Sequence, residues 1–396
     1  MNGKRLGLGM SIAATGLWLL AGCGGQAAPS GAPASVAAPS TAGPASTNPV
    51  SSTTASAKPA GSAAANGAAS AKPSAPASVS AAPGTTVVHI ATVGSISDAG
   101  FYLAVDRGYM KDAGLTPDFQ VLTTGPQMVP LLATGQLDVA GGSVSGALFS
   151  AIQRDIPLRI VADKGSNQPG FTFAYILARK DLADQMKSWG DLKGRKVAIS
   201  ATDNSGQYLV DKAMKSVGLS VKDVDAQMVG YPDQGAAFAN KAIDAGQDIE
   251  PFATNWVFKD FAAIMPNQGN VYDSFQAAVL MYGPKFVQEQ PEVGKKLMVA
   301  YLRGVRDYNL AFAKGTDKEA VIQSLISHTT VKDRALFDKM GLPGLNPNGA
   351  ALDQDIAAQQ DFFVAMGYQK DKLDLKPILD HQFVDYAVAQ LGKFSG

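Results

Sequence analysis

The chain has 396 residues with 34 basic and 34 acidic side chains, so its formal net charge is zero. Lys4, Arg5, Lys58 and Lys72 precede residue 86 and no acidic residue does, which leaves a net charge of about −4 for the remainder. This balance lacks the basic surface typical of nucleic-acid-binding domains, and we expect no nucleic-acid partner. The one cysteine, Cys23, lies near the amino terminus, so disulfides, thiol nucleophiles and cysteine-ligated clusters are excluded from the rest of the chain.

The amino terminus has the pattern of a secretory signal. Lys4 and Arg5 precede a mostly apolar run over residues 6–20, which is shorter than the roughly 20 residues of a membrane span. The sequence Leu-Ala-Gly-Cys ends this run at Cys23 and resembles a bacterial lipobox. The resemblance implies a signal peptide over residues 1–22, cleavage before Cys23 and lipidation of that residue. The alternative is an ordinary signal peptide in which the cysteine is accidental.

Residues 23–85 consist almost wholly of Ala, Pro, Ser, Gly and Thr and contain no aromatic side chain. Such a segment buries too little apolar surface to offset its conformational entropy, so we expect disorder. With a lipidated Cys23 it would tether a folded domain to a membrane that it does not span. The prediction is an extracytoplasmic, lipid-anchored protein in the periplasm or on the outer cell surface.

The remainder of the chain repeats one pattern, in which a strand is followed by a small-polar loop and then a helix. The strands are predicted at residues 87–91, 137–140, 196–200 and 248–251. Helical crossovers between such units are typical of α/β proteins with parallel-rich sheets. Three helices, at residues 291–313, 352–366 and 383–391, are predicted to pack on the lobes.

In parallel α/β sheets, ligands bind beyond the carboxyl ends of the strands. The loops there carry serines, glycines and aspartates, which can cap a following helix or contact a ligand. For Ser143 and Ser145 the alternative that each only caps a helix stays open.

Several chemistries are excluded by the motifs. The run Gly142–Gly146 has Val144 where a nucleophile elbow requires serine. The three histidines are far apart in sequence, and no phosphate-binding glycine motif is present. We therefore predict no catalytic residue, no metal and no cofactor.

Four segments in the same order carry a family resemblance. They are GSISDAGFYLAVDRGYMKDAGL, ATGQLDVAGGSVSGALFSAIQRDIPLRIVAD, SWGDLKGRKVAIS and DAGQDIEP. Together they resemble the substrate-binding proteins of importers for nitrate, sulfonate, taurine and thiamine-pyrimidine precursors.

The resemblance implies a two-lobed type II periplasmic-binding-protein fold with a ligand cleft between the lobes. The first lobe is expected to combine residues 86–178 with 283–396, and the second to span residues 179–282. The implied partners are an ABC permease and its ATPase, and a monomer is expected.

Carried over loop by loop, the resemblance implies a set of ligand contacts at the strand ends. They are Ser95, Ser97, Tyr102, Gly142, Ser143, Ser145, Thr202, Asp203, Asn204, Ser205, Glu250 and Trp256. Asp203 and Glu250 would suit an amine or ring N–H, which favours a small organic solute over a bare inorganic anion. An organic sulfonate, a taurine-like compound, a pyrimidine or a related molecule is expected.

Two other functions stay open. A membrane-tethered receptor that senses the ligand needs the same cleft as an importer subunit. A pyrimidine synthase of the same fold family would call for a cysteine-rich motif, and the chain has a single cysteine.

Overall fold

The computed structural model describes residues 84–395. The predicted signal peptide, the predicted lipidation site at Cys23 and nearly all of the predicted tether lie outside the described residues. Within the described part of the chain, no helix is both long enough and apolar enough to cross a membrane.

Ten strands occur between residues 84 and 395. In chain order they are β1 (Thr86–Thr92), β2 (Leu115–Val121), β3 (Val139–Gly142), β4 (Arg159–Asn167), β5 (Ala174–Arg179), β6 (Lys196–Ile199), β7 (Asp225–Met228), β8 (Ala245–Ile249), β9 (Ala262–Ile264) and β10 (Phe275–Tyr282).

The strands form two five-stranded sheets of matching design. The first sheet has the order β2-β1-β3-β10-β4 and the second has the order β7-β6-β8-β5-β9. In each sheet the first three strands are parallel, and the last two pairings are antiparallel. The predicted α/β class with parallel-rich sheets is therefore confirmed.

The chain crosses between the sheets twice, from β4 to β5 and from β9 to β10, and these strands lie at the same end of the two sheets. The predicted lobe boundaries differ here. They placed β5 in the first lobe and β10 in the second, but Tyr175 of β5 pairs with Asp248 of β8, and Leu280 of β10 pairs with Gly141 of β3. Each strand follows its hydrogen-bond partners, so each crossing comes one strand earlier than predicted. Below, the first and second lobes are named by these sheets.

Eleven α-helices accompany the sheets within the described residues. They are α1 (Ala99–Asp106), α2 (Tyr109–Asp112), α3 (Met128–Ala133), α4 (Gly146–Ile152), α5 (Ser205–Lys215), α6 (Tyr231–Ala239), α7 (Phe252–Phe258), α8 (Pro291–Lys314), α9 (Lys318–His328), α10 (Asp353–Ala365) and α11 (Gln382–Leu391). The three carboxyl-terminal helices predicted from the sequence correspond to α8, α10 and α11.

The longest helix, α8, packs on the first sheet because one of its faces is apolar. Leu297 and Leu302 on this face are fully buried against Val88 and Ile90 of β1 in one apolar cluster. Burying a side chain of this size contributes about 1.5–3 kcal/mol. Tyr301 of α8 also donates to the carbonyl oxygen of Asp163 in β4 at 3.0 Å, which fixes the helix on this sheet.

Candidate functional site

A cavity lies between the two lobes, at the carboxyl ends of the parallel strands. Its free volume is only about 20 Å³. The first sheet and its loops contribute Val93, Ser97, Gly125, Gly142 and Ser143, together with Phe275, Ala277 and Ala278 of β10. The second lobe and the chain segment leading into it contribute Phe173, Gly206, Tyr231, Gln247 and Ile249. The lobes are therefore nearly closed on each other.

Three of the residues predicted to contact a ligand line this cavity. They are Ser97, which follows β1, and Gly142 and Ser143, which follow or end β3. The oxygen of the Ser143 side chain is buried and has no hydrogen-bond partner within residues 84–395. Buried polar atoms are normally paired, so this hydroxyl is available to a molecule in the cavity.

Gln247 of β8 also presents an unpaired atom to the cavity. Its side chain is 1% exposed, and its Nε2 donates to the carbonyl oxygen of Asp248 at 3.2 Å. Its Oε1 has no partner in the described part of the chain. Gly206, which also lines the cavity, leaves room for this oxygen, because a Cβ there would collide with it.

A buried ion pair contacts Ser97, on the first-lobe side of the cavity. Nζ of Lys164 lies 2.6 Å from Oδ1 of Asp98, and both side chains are fully buried. The same Nζ donates to Oγ of Ser97 at 3.0 Å. Gly141 makes room for the lysine stem, since a Cβ there would lie 2.8 Å from its Cε. The sequence reasoning missed Lys164 because it lies within β4 and not in a loop at a strand end.

Beside the cavity, residues 144–147 of the first lobe are hydrogen-bonded to residues 203–205 of the second lobe. Oδ2 of Asp203 accepts from the backbone N of Ala147 at 2.9 Å, and its carbonyl accepts from Gly146 N at 3.0 Å. Ser205 N donates in return to the carbonyl of Val144 at 3.1 Å. Burial at this contact raises the pKa of Asp203 to about 6. Asp203 and Ser205 were predicted to contact ligand, but they line the lobe contact and not the cavity.

Ser145 and Asn204 face each other in an isolated β-bridge across the same contact. The Ser145 side chain accepts from Leu148 N at 3.2 Å and so caps α4. The Asn204 side chain accepts from Gln207 N at 2.9 Å and caps α5. Neither lines the cavity, because each side-chain oxygen is taken up at its own helix terminus. Thr202 is exposed and does not line it either.

Glu250 and Trp256 were also predicted to contact ligand, but their polar atoms are hydrogen-bonded to other residues of the protein. The Glu250 carboxylate accepts from Thr254 N at 3.0 Å, Thr254 Oγ1 at 2.7 Å and Gly341 N at 3.1 Å. Burial raises the pKa of Glu250 to about 7. Trp256 donates from Nε1 to Oδ2 of Asp248 at 2.7 Å.

The two remaining predicted contacts lie outside the cavity lining. Tyr102 stacks on His328 with ring centroids 4.6 Å apart, so its ring faces the first-lobe helices. Ser95 is fully buried beneath Ser97, and their hydroxyl oxygens are 2.7 Å apart.

The cavity has three aromatic walls that the sequence reasoning did not assign to the site. Phe173 precedes β5, Tyr231 begins α6, and Phe275 begins β10. Phe173 and Phe275 lie where the chain crosses between the sheets, and Tyr231 begins a helix that does not follow a small-polar loop. The strand-loop-helix pattern therefore did not identify them as site residues. Within residues 84–395, no group of three or more His, Cys, Asp or Glu side chains is placed to hold a metal ion.

Comparisons with known proteins agree with this architecture. The model of a family described as NMT1/THI5 like matches residues 96–310. A Brucella abortus protein, provisionally named as a binding protein, is 26% identical over 294 residues, which cover 73% of this chain and 87% of the relative.

Two solved structures illustrate the likeness in fold. The alkanesulfonate-binding protein SsuA from Xanthomonas axonopodis pv. citri, bound to MOPS, has a TM-score of 0.61 at 17% identity, covering 76% of this chain and all of that one. The periplasmic nitrate-binding protein NrtA from Synechocystis PCC 6803 has a TM-score of 0.60 at 14% identity, covering 78% and 90%. The fold is that of periplasmic binding proteins.

Proposed function

The chain belongs to the NMT1/THI5-like family, and we propose that it is an extracytoplasmic solute-binding lipoprotein of an ABC importer. In this proposal it captures a small organic solute between its lobes and delivers the solute to a permease, which a partner ATPase drives. It performs no reaction on the solute. The membrane attachment is proposed from the lipobox-like sequence at Cys23 and from the composition of residues 23–85.

One observation supports solute capture most directly. The cavity is enclosed by both lobes, and each lobe presents an unpaired buried oxygen to it, Ser143 Oγ from the first and Gln247 Oε1 from the second. A solute that satisfies both atoms would hold the lobes together, because it contacts both only when they are closed. A ligand shifts a conformational equilibrium in proportion to its preference for one state.

The contact between the lobes supplies part of the closing free energy without solute. Its bonds run in both directions, since Asp203 accepts from the first turn of α4 and Ser205 donates to Val144 in the loop before that helix. A closed form held by few bonds can reopen at the permease, which delivery requires. Hinge closure around a ligand is a recurrent motion of this kind of protein.

The experiment for solute capture is a thermal unfolding screen of the full chain. The panel comprises neutral heterocycles, aliphatic and aromatic sulfonates, taurine, nitrate and amino acids. A solute at 100 times its Kd stabilises the protein by about 2.7 kcal/mol, which raises the unfolding midpoint measurably. The proposal expects at least one solute to do so, and calorimetry then gives its affinity. A panel with no stabilising member would contradict solute capture.

The importer role has its own test. Uptake of the radiolabelled solute by cells lacking this chain is expected to fall and to return when the chain is restored. Unchanged uptake with retained binding would favour the sensing receptor.

A further inference from the structure

We propose that the cavity selects an electrically neutral solute that carries an N–H or O–H donor, and that Oε1 of Gln247 is the atom that selects it. This inference rests on the proposed function, since it names the class of solute that the same cavity would bind.

The acceptor on the second-lobe wall is fixed in orientation. Nε2 of Gln247 donates to the carbonyl oxygen of Asp248, which leaves Oε1 without a donor on a residue that lines the cavity. A buried carbonyl oxygen without a donor is destabilising, because it has lost its hydrogen bond to water. A solute N–H or O–H would remove this cost, whereas a sulfonate or nitrate ion offers only acceptors to the same atom.

The first-lobe wall is complementary to a solute acceptor. Lys164 Nζ can only donate, so Ser97 Oγ accepts from it and keeps its own hydrogen for Ser95 or for the cavity. Ser143 adds a second hydroxyl with no partner among residues 84–395. A solute with a donor on one side and an acceptor on the other would satisfy both walls.

The charges around the cavity favour a neutral solute. None of its thirteen lining residues carries a formal charge. Lys164, which reaches Ser97, is already neutralised by Asp98 at 2.6 Å. An anion would therefore lose its hydration without gaining an unpaired cation, and burying an uncompensated charge is strongly unfavourable.

The apolar part of the lining includes three aromatic side chains. Phe173 and Phe275 are each 1% exposed, and Tyr231 is 7% exposed. Aromatic walls with a few placed polar atoms are typical of sites for small organic ligands. An amide-bearing ring or a small heterocycle combines an apolar ring, which can pack on these side chains, with the required donor and acceptor.

Calorimetry with matched pairs of probes tests the inference on the full chain. The pairs are nicotinamide with nicotinate and benzamide with benzenesulfonate, and uracil, methanesulfonate and nitrate are added singly. Each pair differs mainly in charge and in the presence of an N–H donor. The neutral member is expected to bind at least about tenfold more tightly, a difference of about 1.4 kcal/mol.

Two variants of Gln247 test whether its Oε1 is the atom that distinguishes neutral from charged solutes. Gln247→Met removes the acceptor at similar length and is expected to weaken the tightest neutral probe about tenfold or more. Gln247→Glu places a carboxylate there and is expected to shift the preference from benzamide to the benzamidinium cation, which also shows that the variant is folded. Gln360→Met is the matched control, because Gln360 is fully buried but does not line the cavity.

The outcomes separate the inference from the proposed function. If only anions bind, or if Gln247→Met binds neutral probes as tightly as the parent chain, the inference is overturned while solute capture stands. If no neutral probe binds, the inference also fails, and the proposed function fails with it only when the broader panel produces no binding at all.

Discussion

Asp203 in the second lobe accepts a hydrogen bond from the backbone N of Ala147 in the first lobe, over 2.9 Å. Ala147 belongs to the first turn of α4, whose N–H groups lack partners within the helix. The helix is therefore capped in part by a residue from the other lobe, and that bond exists only while the lobes are together.

Removal of this bond is expected to weaken solute binding. Asp203→Gly deletes the carboxylate and tolerates the backbone φ of 57° at this position. A hydrogen bond to a charged group contributes about 1.5–3 kcal/mol, so calorimetry should give a Kd more than about tenfold higher. Asp203→Asn keeps an acceptor oxygen and should lie between the two. Equal affinities for all three proteins would show that this contact does not contribute to closure.

Ser143→Trp is expected to abolish binding without unfolding the protein. The Ser143 oxygen faces the cavity, where little free volume remains, and an indole there would occupy the space of a solute. Affinity should fall at least about a hundredfold, with the unfolding midpoint of the unliganded chain shifted by only a few degrees. Ser143→Ala removes only the hydroxyl and leaves the space free, so it should weaken binding by a smaller factor, about tenfold. Full-strength binding by the tryptophan variant would place the site elsewhere.

Lys164→Met is expected to destabilise the first lobe strongly. It leaves the Asp98 carboxylate buried without its cation, a change that typically costs about 3–5 kcal/mol. The double variant Lys164→Met, Asp98→Asn should recover much of that loss, because the remaining side chain is neutral. Urea unfolding measures both. If the single variant were as stable as the parent, the pair would make no net contribution.

The stability of the protein is expected to depend on pH through Glu250. Its pKa is raised to about 7 in the folded chain, above its ordinary value of 4.5, so folding favours the protonated form. Its contribution is complete below about pH 4.5 and is lost as the pH rises through about 7. The free energy of unfolding should therefore decrease between about pH 5 and about pH 8, by up to about 3 kcal/mol from this group.

Glu250→Gln separates Glu250 from the other groups. Asp163 and Asp203, each with a pKa raised to about 6 by burial, act in the same direction and remain in the variant. The slope of stability against pH should thus become shallower without vanishing. An unchanged slope would mean that Glu250 does not titrate in this range.

Cys23→Ala is expected to release the protein from membranes. The lipobox-like sequence makes this cysteine the proposed acylation site. After cell fractionation the variant should appear in the soluble extracytoplasmic fraction, whereas Ser30→Ala in the same segment should still sediment with membranes. Sedimentation of both would contradict the lipid anchor.

The sequence predicted the strand-loop-helix units well because each depends on local patterns. The strand at residues 87–91 and the helix at 291–313 carry clear apolar periodicity, and both are present as β1 and α8. The small-polar loops after β1 and β3 were correctly expected to meet at one edge of a sheet, and Ser97 and Ser143 do so.

The sequence could not show which polar groups find partners inside the protein. Asp203 and Glu250 look free as isolated carboxylates, but the distant Ala147 donates to Asp203, and the distant Gly341 donates to Glu250 together with the nearby Thr254. Lys164 and Gln247 lie within strands, where alternation alone does not indicate whether a polar side chain faces a cavity. Such pairings depend on how the two lobes pack.

Both chain crossings lie at one end of the sheets, and this gives the cleft a direction. At that end Gly341, in the carboxyl-terminal segment that packs on the first lobe, donates to Glu250 of the second lobe and so ties the lobes together. At the opposite end are the edge strands β2 and β7, whose last residues, Val121 and Met228, are 64% and 48% exposed. In the proposed function, a rotation about the crossings would widen the gap most at these edges, so a solute would enter and leave past the apolar side chains of Val121 and Met228.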